Sequence, residues 1–275
     1  MSPPSWAVRV VLLLAVAGLL YAGLVLLEDR FIYFPSRAIT ATPADVSLEF
    51  EDVYFEPPDG VRLHGWWVPG DAHDVTLLWL HGNAGNLGDR VGILELLHDE
   101  LGASIFMFDY RGYGRSEGKP SEQGLYADAR AALEALRSHG GAESHDVVLY
   151  GQSLGAAVAV ELASARPTRA VVLEAPFTSV PDMARHHYGF LPVASLLRSS
   201  FDTEARISDI DAPLLVMHGD RDDIVPLNMG ERVFAAAREP KEFNVLEGAG
   251  HNDAHLADDY AAALRSFLDG LEAPD

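Results

Sequence analysis

The stretch that decides the fold is Asp146-Val147-Val148-Leu149-Tyr150, followed by Gly151-Gln152-Ser153-Leu154-Gly155 and an apolar segment from Ala156 to Ala165. The β-branched run predicts a strand and the last segment a helix, so Ser153 stands at a sharp strand-to-helix turn. So tight a turn leaves no room for side chains two residues away, which explains both glycines. The turn exposes Ser153 Oγ at a helix N-terminus, where free N–H groups favour negative charge. The pattern predicts a nucleophilic serine; the alternative is a glycine-flanked N-cap of a buried helix.

A nucleophilic serine needs a base, and the base needs a group that fixes its tautomer. For this type of turn the order along the chain is serine, acid, histidine. The strand predicted over residues 213–217 is followed by three acids, among which spacing alone does not choose: Asp220, Asp222 and Asp223. The strand predicted over residues 242–246 is followed by His251, and the glycines before it let the backbone bend the imidazole toward Ser153.

Acyl transfer also requires hydrogen-bond donors for the oxyanion. The first is expected to be the backbone N–H of Leu154, directly after the nucleophile. The second is expected in the loop after the strand over residues 75–80, at the backbone N–H of Asn83. His81 in the same loop is interpreted as structural, and residues 109–116 as a structural turn near the rim of the site.

No cofactor or metal site is expected. Gly112-x-Gly114 lacks the third glycine of a nucleotide-binding loop, because Glu117 stands in its place. His255 follows His251 by four residues, but no motif supplies a third metal ligand, so His255 is interpreted as an exposed helix residue.

Strands alternate with helices over most of the chain, after a start of two strands over residues 47–56 and 61–68 joined by Pro57-Pro58-Asp59-Gly60. This alternation predicts an α/β fold with a mostly parallel sheet covered by helices on both faces. Residues 178–210 interrupt the alternation and are expected to form a small helical cap. The cap contains several large apolar side chains: Phe190, Leu191, Val193, Leu196 and Leu197.

Residues 1–30 are expected to form a membrane anchor, and residues 31–275 the catalytic domain. Val10 to Leu27 is an uninterrupted apolar run of eighteen residues, long enough for a transmembrane helix. A cleaved signal peptide and a buried core helix are the alternatives. The short N-terminal tail favours a single-pass anchor with the catalytic domain on the extracytoplasmic side.

The composition limits the class of partner. The 275 residues include 41 acidic and 20 basic side chains, a net charge of −21, so binding to nucleic acid is not expected. The chain has no cysteine, which excludes disulfides and a cysteine nucleophile. The expected partners are a small acyl substrate and, through the anchor, a membrane; the protein is expected to be a monomer.

Four motifs taken together resemble the α/β-hydrolases, and among them the Bem46/ABHD13-like, membrane-anchored subgroup: Gly151-x-Ser153-x-Gly155, residues 81–86, residues 109–116 and His218-Gly219-x-x-Asp222-x-x-Val225-Pro226. The resemblance extends from about Phe31 to the C-terminus. It implies an α/β-hydrolase fold, with Asp222 as the acid and His251 as the base. Similar proteins include depalmitoylating thioesterases and serine aminopeptidases. The resemblance therefore implies a mechanism but leaves the substrate class open. We expect a serine hydrolase of esters or thioesters; the alternatives are a peptidase and a non-catalytic binding module.

Overall fold

The computed structural model describes residues 4–70, 75–189 and 194–271. The helices are α1 Ser5–Ile32, α2 Val91–Leu101, α3 Glu122–Gly140, α4 Leu154–Ala165, α5 Val180–Tyr188, α6 Thr203–Arg206, α7 Leu227–Ala236 and α8 Tyr260–Asp269. The strands are β1 Phe34–Pro35, β2 Glu51–Phe55, β3 Leu63–Val68, β4 Thr76–Leu80, β5 Ala84–Gly85, β6 Ser104–Asp109, β7 Val147–Gln152, β8 Ala170–Glu174, β9 Leu214–Gly219 and β10 Lys241–Leu246.

Eight strands form one sheet in the order β10-β9-β8-β7-β4-β6-β3-β2. Strand β3 pairs antiparallel with β2 and β6, whereas β6, β4, β7, β8, β9 and β10 run parallel. The predicted mostly parallel sheet with an antiparallel start is therefore confirmed. Because the carboxyl ends of the parallel strands meet at one edge, the loops after β4, β7, β9 and β10 come together there. A separate parallel bridge joins β1 to β5.

Helices cover both faces of the sheet, as the alternation predicts. On one face, α3, α4 and α7 pack against the sheet through residues such as Leu125, Val158 and Val233. On the other face, α2 and α8 pack against it through residues such as Leu94 and Leu264. Successive residues of a strand point to opposite faces of the sheet. Alternate residues of β4, β6, β7 and β8 are buried in the two cores, so these central strands are apolar on both sides.

Two predicted elements differ from the structure. The last helix, predicted from Ala254, begins at Tyr260, because residues 254–256 form a separate 3₁₀ turn that ends with Ala257 in an extended conformation. Helix α1 covers the predicted anchor, yet no helix in the described part of the chain is long and apolar enough to cross a membrane. The transmembrane helix predicted over residues 10–27 is therefore not supported in the described part of the chain.

The segment from 178 to 210 consists of short helical pieces where the structure describes it. Helix α5, a 3₁₀ turn over residues 194–196, helix α6 and a second 3₁₀ turn over residues 207–209 follow one another. Phe190, Leu191 and Val193 lie outside the described residues. Leu196 is 39% exposed, and Leu197 is half-buried.

Candidate active site

Ser153 occupies a strained turn between β7 and α4. Its φ of 53° and ψ of −112° lie where residues with a Cβ are rarely found, as expected of a functional turn over-determined by its surroundings. The Ser153 N–H donates a hydrogen bond of 2.8 Å to the Glu174 carbonyl at the end of β8. Ser153 is 8% exposed, so the turn is buried.

The two flanking glycines are required by close backbone approach. A Cβ on Gly151 would lie 2.6 Å from the Gly155 carbonyl oxygen. A Cβ on Gly155 would lie 1.9 Å from the Leu80 carbonyl oxygen, at the end of β4. Both distances are well inside van der Waals contact, so the steric reason inferred from the sequence accounts for the spacing of the motif.

Replacing Gly155 with alanine should therefore destabilise the protein by about 3 kcal/mol, since the backbones of β4 and α4 must separate to admit the methyl group. Gly92→Ala in α2 is the matched control, because nothing lies within 4 Å of its added Cβ. That control should be neutral or stabilising by about 0.5–1 kcal/mol. Urea unfolding of both variants measures the difference in the free energy of unfolding. Equal stabilities would contradict the close contact between β4 and α4 at Gly155.

The carboxylate of Asp222, in the turn after β9, is fully buried and contacts the imidazole of His251. His251 Nδ1 lies 2.7 Å from Asp222 Oδ2. Asp222 Oδ1 accepts hydrogen bonds from the N–H groups of Ile224 and Val225, at 2.9 and 2.8 Å. Burial opposes ionisation, but hydrogen bonds from His218, His251 and the Val225 N–H outweigh it and hold the pKa of the Asp222 carboxyl well below its usual value. The lowered pKa favours the carboxylate form of Asp222 at neutral pH.

The other two acids of this turn face elsewhere. Asp220 Oδ1 accepts a hydrogen bond of 2.7 Å from the Gly248 N–H, in the loop that leads to His251. The side chain of Asp223 is exposed. The structure thus separates three acids that spacing along the chain did not.

His251 lies in the loop after β10 and completes a continuous chain of hydrogen bonds. Its Nε2 is 3.1 Å from Ser153 Oγ, while its Nδ1 faces Asp222. Gly248, with a φ of 78°, provides the left-handed turn that brings this loop back over the sheet edge. The imidazole is 10% exposed. Three residues from the ends of three strands therefore meet in the order that proton transfer from a serine requires.

The two expected oxyanion donors belong to the first turn of α4 and to the loop after β4. The Leu154 N–H belongs to the first turn of α4, where N–H groups have no partner within the helix. Asn83 is in the loop after β4, next to Gly82, and a Cβ on Gly82 would lie 3.6 Å from Ser153 Cβ. The Gly82 backbone thus lies beside Ser153, with room for about one methyl group between them.

A buried polar cluster supports the loop that contains Asn83. His81 Nδ1 lies 2.7 Å from the Gly82 carbonyl oxygen, and burial lowers the pKa of His81, which favours the neutral imidazole. Asp109, at the end of β6, accepts a hydrogen bond of 3.1 Å from the Leu87 N–H. Burial raises the pKa of Asp109 to about 7. Arg90 donates hydrogen bonds of 2.6 Å to two carbonyls of the loop, those of Ala84 and Asn86.

Three residues near the site were not singled out by the sequence. The Tyr113 hydroxyl donates a hydrogen bond of 2.8 Å to the Asn83 carbonyl oxygen. His218 Nε2 lies 2.8 Å from the Val225 carbonyl oxygen and 3.5 Å from Asp222 Oδ2. Glu174 is buried behind the elbow and accepts hydrogen bonds from Gln152, Tyr150 and Tyr260. Tyr113 and His218 lie within quoted motifs and Glu174 ends β8, but no local pattern marks the partner of any of them.

Two other features of the described residues lie apart from this chain of hydrogen bonds. A groove of about 910 Å³ runs between β2 and α3 and is lined by residues such as Phe55, Arg130 and His139. Ser153, Asp222 and His251 do not line it. Among the described residues, no group of three or more His, Asp or Glu side chains is arranged to hold a metal ion. His255 is half-buried in the 3₁₀ turn before α8.

Residues 71–191 match the sequence family described as serine aminopeptidase, S33. The chain is 42% identical over 268 residues to the uncharacterized protein Rv2307c of Mycobacterium tuberculosis, with 94% of this chain and 95% of the relative covered. It is 34% identical to the alpha/beta hydrolase domain-containing protein WAV2 of Arabidopsis thaliana, with 87% of each chain covered. It is 38% identical to the human alpha/beta hydrolase domain-containing protein 17B, over 70% of this chain and 66% of the relative.

Solved structures share the fold. The Pyrococcus furiosus esterase Pf2001 superposes with a TM-score of 0.70 at 23% identity, covering 86% of this chain and 99% of the esterase. An esterase domain from Rhodothermus marinus superposes with a TM-score of 0.61 at 24% identity, covering 80% and 97%. The fold, the sheet order and these relatives together show that the chain belongs to the α/β-hydrolase superfamily. It is a hydrolase of this superfamily; the Bem46/ABHD13-like subgroup stays a prediction.

Proposed function

We propose that the protein is a serine hydrolase that cleaves carboxylic esters or thioesters through an acyl-enzyme. The observation that carries the proposal is the unbroken chain from Ser153 Oγ to His251 Nε2, at 3.1 Å, and from His251 Nδ1 to Asp222 Oδ2, at 2.7 Å. These distances are within the range for direct proton transfer from a serine to its base. A non-catalytic binding module has no need of this alignment on a strained elbow.

In the first half of the reaction, Ser153 Oγ attacks the carbonyl carbon of the substrate and its proton passes to His251 Nε2. The oxyanion that forms accepts hydrogen bonds from the backbone N–H groups of Asn83 and Leu154. Asp222 keeps the second imidazole proton on Nδ1 and stabilises the imidazolium. The leaving alcohol or thiol takes the proton from His251, and the acyl group stays on Ser153.

In the second half, a water molecule repeats the cycle. His251 removes its proton, the hydroxide attacks the acyl carbon, and Ser153 Oγ leaves with the proton returned from His251 Nε2. The net result is one carboxylic acid and one alcohol or thiol. Both half-reactions use the same two donors, because both form a tetrahedral oxyanion.

Covalent labelling tests the proposal directly. A fluorophosphonate should inactivate the full-length protein in a time-dependent reaction, add one phosphonyl group and modify Ser153 in a peptide map. Its phosphonyl oxygen mimics the oxyanion, so labelling requires both an activated serine and the donors. Modification at another residue, or no modification of the folded protein, would contradict the proposal.

The cap is proposed to select apolar acyl chains. His187 of α5 contacts the turn that contains Asp222, since its Nε2 donates a hydrogen bond of 2.8 Å to the Ile224 carbonyl oxygen. Leu196, 39% exposed, and Leu197 belong to the 3₁₀ turn next to α5 and its continuation. Apolar side chains at the edge where ligands enter α/β folds provide a surface for the acyl chain.

Activity on p-nitrophenyl esters should therefore rise from acetate to a medium-chain optimum. Each methylene buried in an apolar site contributes about 0.8 kcal/mol, so kcat/KM should rise about fourfold per carbon until the site is filled. Replacing Leu196 and Leu197 together by serine should flatten the rise without abolishing hydrolysis of acetate. A wild-type profile that falls steadily from acetate would show that the cap does not bind acyl chains.

A peptidase is the second candidate, and the observation that favours it is the match of residues 71–191 to a family described as serine aminopeptidase. The same Ser153, His251 and Asp222 chemistry would serve an amide. A panel of aminoacyl amides beside the p-nitrophenyl esters separates the two: a higher kcat/KM for the amides would make the peptidase the better description.

Attachment to a membrane, with the catalytic domain outside the cytoplasm, is a proposal from the sequence of residues 1–30. Exposed apolar side chains along α1, among them Trp6, Leu12 and Leu13, are consistent with it. Alkaline carbonate extraction of cell membranes is the measurement. Retention of the full-length chain in the pellet would support a spanning anchor, and release at full size would contradict it.

A further inference from the structure

The end of α1 and the residues that follow it contact the loop of the second oxyanion donor. The Asn83 side-chain amide donates a hydrogen bond of 3.0 Å from Nδ2 to the Ile32 carbonyl oxygen. The Phe34 N–H donates a hydrogen bond of 3.0 Å to the Asn83 carbonyl oxygen. Residues 32–34 thus hold both the side chain and the carbonyl of the residue whose N–H is the expected second donor.

A buried carboxylate fastens this end of α1 to the domain. Glu28 is 1% exposed. Its carboxylate accepts hydrogen bonds from the N–H groups of Arg198, at 3.0 and 3.1 Å, and of Ser199, at 2.7 Å. The Arg198 Nε adds a contact of 3.3 Å. Burial would raise the pKa of Glu28, but these hydrogen bonds outweigh it and lower the pKa, so the group is ionised.

A second carboxylate continues the arrangement from the other side. Glu122, at the start of α3, accepts hydrogen bonds from the N–H groups of Ser200, at 2.8 Å, and Phe201, at 2.9 Å. Four successive N–H groups, from 198 to 201, are thus held by two carboxylates that are 94 positions apart in the chain, at 28 and 122. The buried Tyr33 packs edge-on against Phe201, with ring centroids 6.4 Å apart. The end of α1 is therefore built into the core and is not a free linker.

We propose that Glu28 and residues 32–34 form a positioning element of the active site: Glu28 fixes the end of α1 to residues 198–199, and residues 32–34 in turn hold Asn83 so that its N–H points at the oxyanion. The inference rests on the proposed function, since it assigns a role to the support of a proposed oxyanion donor. Glu28 and the Asn83 side chain act through the Asn83 N–H and do not touch the substrate. Deleting the residues that precede Phe34 should accordingly lower kcat, because the catalytic domain includes the end of α1.

Glu28→Gln in the full-length protein is the first test. The new amide group would face N–H donors of Arg198, so the fastening should loosen although size and shape are kept. We expect kcat to fall about 10-fold with KM changed less than about 2-fold, because displacing a donor weakens binding of the transition state more than of the substrate. The rate of fluorophosphonate labelling should fall in parallel. A role in folding alone would lower the melting temperature and leave kcat unchanged well below it.

Asp29→Asn is the matched control. Asp29 is the next residue, its side chain is 49% exposed, and its Oδ1 lies 3.6 Å from the same Arg198 guanidinium. The substitution removes the same charge but touches neither backbone N–H group, so kcat should stay within about 2-fold of the wild type. A kcat for Glu28→Gln equal to that of Asp29→Asn would overturn the inference.

A double-mutant cycle with Asn83→Ala completes the test. This variant keeps the backbone N–H and removes only the side chain that bonds to Ile32. If Glu28 acts through Asn83, the two losses of kcat should combine to less than their product. Independent losses would overturn the inference. Ser153→Ala, measured in parallel, separates the two proposals: activity retained there refutes the serine hydrolase itself, whereas an inactive Ser153→Ala beside unaffected Glu28→Gln and Asn83→Ala variants refutes the positioning role alone.

Discussion

Replacing Ser153 with alanine should lower kcat by about 10⁶-fold and leave the fold intact. The loss is this large because the remaining groups hold a substrate but have no nucleophile to offer it. The fold should survive because alanine also carries a Cβ, so the strain of a φ of 53° is the same in both proteins. The Oγ atom that is removed has His251 Nε2 as its partner at 3.1 Å.

The measurement is steady-state hydrolysis of a p-nitrophenyl ester, with circular dichroism and thermal unfolding as the check on folding. Fluorophosphonate labelling should disappear in the same variant. Turnover within about 100-fold of the wild type, in a protein that unfolds at the same temperature, would mean that another residue is the nucleophile.

Replacing Asp222 with asparagine should lower kcat by about 10⁴-fold. The two N–H groups of Ile224 and Val225 require an oxygen at the Oδ1 position. The asparagine amide nitrogen is then directed at His251 Nδ1, which must accept a hydrogen bond and loses its proton to Nε2. A protonated Nε2 cannot take the proton from Ser153, so the imidazole is present in the wrong tautomer.

Asp220→Asn and Asp223→Asn are the controls for this variant, since both change one charge in the same turn. Asp220 faces the Gly248 N–H, and Asp223 is exposed, so both variants should retain kcat within about 10-fold. A larger loss in either control than in Asp222→Asn would identify the other acid as the orienting group.

The sheet and the elbow could be predicted from the sequence because their determinants are local. A glycine two residues either side of Ser153, a β-branched run before it and an apolar helix after it are all contained in residues 146–165. The same holds for the antiparallel start, where Pro57-Pro58-Asp59-Gly60 marks the turn between β2 and β3. Tight sterics and turn chemistry act over a few residues, so a short segment reveals them.

The local sequence could not decide which of three acids contacts His251. Asp220, Asp222 and Asp223 lie within four positions, and only the path of the chain after β9 decides which carboxylate turns inward. The resemblance to α/β-hydrolases pointed to Asp222, the residue that the structure brings to His251. The catalytic role of both, and of Ser153, stays a prediction until the variants are measured.

The contacts of α1 could not be predicted from the sequence, for a different reason. Glu28 contacts Arg198 and Ser199, which follow it in the chain by 170 and 171 positions. Asn83 contacts Ile32, which precedes it by 51 positions. A carboxylate next to an apolar run carries no local sign that it will be buried, because flanking charges normally stay in solvent. Only the folded chain shows that the end of this helix belongs to the catalytic domain.

The position of β10 at the edge of the sheet has a consequence for the order of events during synthesis. His251 follows Ser153 by 98 positions, and it is presented by the strand that joins the sheet beside β9 alone. At about 5–20 residues per second, the ribosome makes the proposed nucleophile about 5–20 s before its proposed base. Throughout that interval the nascent chain carries a serine with the ordinary reactivity of an alcohol. We therefore expect hydrolytic activity to be acquired at the end of assembly, when the last strand docks and brings His251 to Ser153.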